Sequence, residues 1–124
     1  MKKVRKLEES GIIDYDYVND ILFFKVKDRE YSHSIELLGY VIDLDTEGFV
    51  VGLQIFDAST YFKISKASLR QVNNWKLEAS LTEGVLQVRL TFNMVVRNRI
   101  IEKSPILVQR IEESLPNSSM ICTV

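Results

Sequence analysis

The 124-residue chain is poor in the residues that announce chemistry: it has one cysteine, one histidine, two prolines and five glycines. Cys122 alone excludes an internal disulfide and a cysteine-built zinc site. The glycines are scattered, so no glycine-rich phosphate loop is present. The longest unbroken apolar run is Ile21-Leu22-Phe23-Phe24, whereas a membrane helix needs about 20 such residues. The basic start, Met1–Lys6, is followed by Glu8 and Glu9 rather than an apolar segment, so neither a secretory leader nor a membrane span is expected. His33 lies in the polar stretch Tyr31-Ser32-His33-Ser34 and reads as a solvated loop residue. Its serine neighbours have no orienting base in the sequence around them. Cys122 has no neighbour that would lower its pKa. With no recognisable nucleophile, base or cofactor cradle, the chain leans away from an enzyme, and no cofactor is expected.

What is present suits a folded domain. Apolar residues make up 46% and charged residues 27% of the chain, ordinary values for a globular protein. The net charge of −1 conceals a split. Residues 1–62 carry seven Lys/Arg against twelve Asp/Glu, residues 63–110 carry nine against three, and Glu112 and Glu113 follow. Such asymmetry either neutralises itself inside the fold or faces a partner of opposite sign.

Period-two alternation dominates the chain. Leu86, Val88, Leu90, Phe92, Met94 and Val96 fall on one side of a strand over Val85–Val96, and Gln87, Arg89, Thr91 and Asn93 on the other. Leu77, Ala79 and Leu81 alternate upstream, and Thr82-Glu83-Gly84 supplies a hairpin turn. Ile21–Val26 is a short β-rich run, and Tyr40–Leu44 with Phe49–Phe56 forms a second hairpin around Asp45-Thr46-Glu47-Gly48. Ile106–Val108 follows Pro105 and suits an edge. Ser65 is a good N-cap, with Leu69 and Val72 on one helical face and Asn73-Asn74 as terminators. A weak repeat at an offset of 64 would align Ile21–Val26 with Val85–Leu90 and Val41–Leu44 with Pro105–Val108. The expected fold is α+β: an antiparallel sheet of six or seven strands, in one or two layers, with one short helix near 65–74. Residues 1–114 form a single domain and 115–124 a disordered tail. Phe23, Phe24, Phe49, Phe62 and Trp75 exceed what one short helix hides, which points to a homodimer.

Two stretches carry a resemblance. They are Ile13-x-Tyr15-Asp16 with Asp20-x-Leu22-Phe23-Phe24-x-Val26, and Val41-Ile42-Asp43-Leu44-Asp45-x-x-Gly48-x-Val50-Val51-Gly52-Leu53-Gln54-Ile55-Phe56-Asp57-Ala58-Ser59. Together they resemble the domain of unknown function 2283 family, with its aspartate-rich hairpin and Ile/Leu-Asp-Ala-Ser ending, over about residues 12–59. The sequence departs from the family at Phe24, where a smaller aliphatic residue is common, and in its long basic second half. The resemblance implies a small cytoplasmic α+β protein of prokaryotic type with no assigned activity. Some members look like partners of small toxin-like proteins, which inclines toward protein binding.

Three functions follow. The leading one is a non-catalytic interaction module that self-associates or binds a small protein partner. A nucleic-acid-binding accessory protein would use the basic half through Lys63, Lys66, Arg70, Arg89, Arg97, Arg99 and Lys103, although a pI of 5.9 is far from basic. An acidic-loop binder would hold a metal or small ligand on Asp43, Asp45 and Glu47, which match the first, third and fifth positions of a calcium loop. That match ends at Gln54, where a bidentate glutamate belongs, and a hairpin turn needs the same Asp and Gly. Asp14, Asp16, Asn19 and Asp20 form a second oxygen-rich stretch that reads as a turn before the strand at Ile21.

Overall fold

In a computed structural model, which describes residues 5–124, the period-two runs become strands. Most of the basic start lies outside the described residues. Among the described residues there are ten strands and two short helices. In chain order they are β1 (Arg5–Asp16), β2 (Ile21–Val26), β3 (Tyr31–Glu36), β4 (Tyr40–Asp45), β5 (Val50–Ile55), α1 (Ala58–Phe62), α2 (Lys66–Arg70), β6 (Asn73–Thr82), β7 (Val85–Val96), β8 (Arg99–Lys103), β9 (Ile106–Arg110) and β10 (Ser118–Thr123). The fold is therefore mostly β with a small helical part, and the sheet has ten strands rather than six or seven. The neighbours run β3-β4-β5-β2-β1-β10-β6-β7-β8, with β9 also on β7.

β1 joins two sheets. Its first half, Arg5–Ser10, pairs in parallel with β10, and its second half, Gly11–Asp16, pairs antiparallel with β2. The switch falls at Gly11, where a Cβ would collide with the Sγ of Cys122 on β10. Only glycine lets the strand cross there, so the first sheet (β1–β5) and the second (β1, β6–β10) share one edge and fold onto each other. Their inner faces meet in one core. The Phe24 ring of β2 lies 5.5 Å from Trp75 of β6, and Trp75 lies 4.5 Å from Phe92 of β7. Phe62 of α1 packs edge-on to Phe92, and Leu69 of α2 is buried. Each such aromatic or aliphatic side chain contributes about 1.5–3 kcal/mol on burial.

Phe24, Phe49 and Trp75 are all buried within one chain, so they no longer call for a second subunit. The helix is shorter than expected: Ser65 does cap it, accepting from Ser68 N at 3.1 Å, but the chain turns extended at Asn73. Asn74 takes a left-handed φ of 60°, which starts β6 and swings Trp75 into the core. The largest correction is at the far end. Residues 118–123 are no tail but the strand that joins β1 to β6, with Ser118, Met120 and Cys122 all buried. The offset of 64 does not carry over to the topology: β4 pairs β3 and β5, whereas β9 pairs β7.

Candidate functional site

The acidic turn closes on itself. Asp45 is 2% exposed, and its Oδ1 accepts from the backbone N–H groups of Glu47 and Phe49, both at 2.9 Å. Its Oδ2 takes the Arg29 guanidinium, with Nε at 2.8 Å and a terminal nitrogen at 2.7 Å. Arg29 also binds the Glu47 carboxylate. The Asp45 bond, followed in weight by opposing burial, leaves the guanidinium pKa raised. Asp43 has a different partner and accepts from the Ser34 hydroxyl at 2.6 Å. The three carboxylates named for a metal therefore do not converge. Among the described residues, no group of three His, Cys, Asp or Glu side chains is placed to hold a metal ion.

The second oxygen-rich stretch forms a latch. Residues 17–20 turn, and Asp20 takes a φ of 57°. Its carboxylate accepts from the Tyr15 hydroxyl at 2.6 Å, the Ser59 hydroxyl at 2.6 Å and the Ser59 N–H at 3.0 Å. Burial pushes the Asp20 carboxyl up, but the Ser59 and Tyr15 bonds outweigh it and the net shift is downward. Tyr15 is pushed well above the ordinary phenol range, by burial first and then by its bond to Asp20. The Ala58 N–H donates to the Asp20 carbonyl, and Ala58 itself is fully buried. The Asp-Ala-Ser ending thus seats α1 on the β1–β2 turn.

The basic residues are spread over the molecule. Lys66 and Arg70 sit over the Tyr17 ring, 4.9 Å and 4.5 Å from its centre. Lys63 and Lys103 line a small hollow beside Phe62 and Pro105. Arg89 faces Glu78 across the β6–β7 ladder. Arg97 and Arg99 lie at the tip of the β7–β8 hairpin. His33 is on strand β3 rather than in a loop, half exposed, with Nε2 2.7 Å from Glu113. Cys122 is buried, and burial, then Glu9, pushes its thiol pKa up, the opposite of an activated nucleophile.

Residues outside the expected site stand out. Past Phe92 the β7–β8 hairpin extends as an arm, paired Met94 to Ile101, Val95 to Ile100 and Val96 to Arg99. Val95 is 72% and Ile100 77% exposed, and Val96 and Ile101 on the opposite face are partly exposed too. Paired residues share a face, so each face of the arm carries an apolar pair, Val95 with Ile100 on one and Met94 with Ile101 on the other. The readable signal was the break in alternation, with adjacent apolar pairs Val95-Val96 and Ile100-Ile101 flanking Arg97-Asn98-Arg99.

The model of a family described as "Protein of unknown function (DUF2283)" matches residues 12–59. A Methanosarcina mazei protein, provisionally named a hypoxanthine phosphoribosyltransferase, is 33% identical over 92 residues, 73% of each chain. An uncharacterized protein of Methanocaldococcus jannaschii is 31% identical over 97 residues, 77% of this chain and 83% of its own. The chain belongs to the DUF2283 family. No solved structure matches it. The DUF2283 match begins one residue after Gly11, where β1 enters the first sheet, and ends at Ser59, which bonds Asp20. It is the first sheet plus its latch. Phe24, inside the matched segment, packs edge-on to Trp75 of the second sheet.

Proposed function

We propose that this DUF2283 protein is a non-catalytic interaction module that self-associates as a homodimer through the β7–β8 arm. The observation that carries this reading is the exposure of apolar residues on both faces of the arm, Val95 and Ile100 on one and Val96 and Ile101 on the other. A strand that is apolar on both faces is ordinarily enclosed on both, and an exposed hairpin of that kind is a contact waiting for a surface. Charge favours a second copy as that surface. The arm carries Arg97, Arg99 and Lys103 against Glu102, while residues 1–62 have five more acidic than basic residues. A twofold arrangement lets each arm meet the acidic half of the other chain. The single, buried, reduced Cys122 suits a cytoplasmic setting.

The name of the Methanosarcina relative offers an enzymatic reading, but no observation on this chain favours it. Phosphoribosyl transfer needs a backbone cradle for pyrophosphate, and the two described helices have five residues each and no glycine turn before them. Light scattering tests the proposal. The wild-type chain is expected at twice 14.4 kDa and Ile100→Asp at the single mass, with unchanged circular dichroism. A wild-type monomer at about 100 µM, or a dimer that survives Ile100→Asp, overturns it; micromolar affinity is ordinary for such contacts. A small protein co-purifying at one copy per monomer would replace the second copy as occupant.

A further inference from the structure

We infer that the outer face of the first sheet carries a groove for a small zwitterion with an apolar body, that is, an apolar α-amino acid. The site is independent of the arm, which lies on the other sheet. The groove has a volume of about 450 Å³ and is lined by Phe23, Lys25, Tyr31, Asp43, Val51 and Gln54, a size and mix typical of small-molecule sites.

Its floor is built by one missing side chain. Gly52 pairs with Lys25 on one side and with Asp43 on the other. A Cβ at Gly52 would run into the Asp43 carboxylate, which leans over it. That carboxylate is held in place: Ser34 donates to its Oδ1 at 2.6 Å, and the Ser34 hydroxyl is 2.6 Å from the Tyr31 hydroxyl. Oδ2 lies above Gly52 with no donor of its own among the described residues. Lys25 has no ion-pair partner among the described residues. Arg29, at the rim, is already committed to Asp45 and Glu47.

The groove therefore presents one positive and one negative group on the same face, two strand spacings apart, about 9.6 Å between backbones. A ligand with a single charge would cover one of them and desolvate the other without a partner. A ligand with an ammonium toward Asp43 and a carboxylate toward Lys25 satisfies both. Phe23, Val51 and the Tyr31 ring receive its apolar body, and Gln54 adds a donor and an acceptor.

Titration of the ¹⁵N-labelled full chain with L-leucine and L-phenylalanine tests this, with N-acetyl-leucine, leucine amide and leucyl-leucine alongside. A saturable shift at Lys25, Asp43 and Gln54 is expected with the free amino acids. Roughly tenfold to a hundredfold weaker binding is expected for the acetyl and amide forms, and for Lys25→Met and Asp43→Asn. Asn at 43 keeps the acceptor for Ser34, so the fold is preserved and checked by the same spectra. If no amino acid shifts these residues, or if the acetyl and amide forms bind as well as the parent, the assignment fails. Tighter binding of leucyl-leucine than of leucine would overturn the free amino acid in favour of a peptide.

Discussion

Two hairpin ends of this molecule are built in opposite ways. At the β4–β5 end, the two carboxylates of the turn are answered: Asp45 takes two backbone N–H groups and Arg29, and Arg29 takes Glu47 as well. At the β7–β8 end, Arg97 and Asn98 both hold positive φ, and the flanking apolar pairs face solvent on either side. The β4–β5 turn has the sequence of a binding loop and is a structural clasp. The β7–β8 tip has the sequence of a plain strand end and is the surface left open. A run of carboxylates is a poor guide to function when backbone donors and a guanidinium lie within reach, because satisfying them is what holds the turn.

That contrast can be broken most severely at Asp45. Asp45→Ala removes the acceptor of two backbone N–H groups and leaves Arg29 with Glu47 alone, and is expected to destabilise the fold by about 3 kcal/mol in urea denaturation. A loss below about 1 kcal/mol would mean that the turn is not a clasp. The latch at Asp20 is the milder counterpart. Ser59→Ala is expected to lose about 1 kcal/mol by the same measurement. Asp20 also sets a pH dependence. Its folded pKa is lowered, so its contribution is fully present above the unfolded value of about 3.9 and is lost as pH falls through the lower folded value. The urea midpoint should therefore fall less with decreasing pH in Asp20→Asn than in the wild type below about pH 4. The smallest effect belongs to the arm tip. Replacing Arg97-Asn98 with Asn-Gly suits a turn with two positive φ angles and should raise stability by a few tenths of a kcal/mol, up to about 1. Destabilisation on thermal melting would show that the tip is not such a turn.

Much of the pleated architecture was legible. The runs at 21–26, 40–44, 77–81, 85–96 and 106–108 lie within strands and the run at 49–56 contains one, because each has an alternating or strongly apolar pattern long enough to set a face. β3 and β8 were not legible, since Tyr31–Glu36 is mostly polar and Arg99–Lys103 is exposed throughout, as edges are. β10 was missed because only Met120 and Cys122 mark its buried side, the third inward position being Ser118. β1 hid behind Gly11, which divides it between two partners. At the candidate site, residue types were visible and their companions were not. Nothing adjacent in sequence brings Ser34 to Asp43, Ser59 to Asp20 or Arg29 to Asp45; strand register brings the first pair together and the packing of a helix and a loop on the turns brings the other two.

The parallel alignment of Arg5 with Ser118 has a consequence for how the molecule is made. On a ribosome, the first of the ten strands to emerge must wait for the last before half of its hydrogen-bonding edge is occupied. Long-range pairings of this sort slow folding, and an unfilled edge in the interval invites the wrong neighbour. The nascent chain therefore cannot finish its second sheet until translation has passed Thr123.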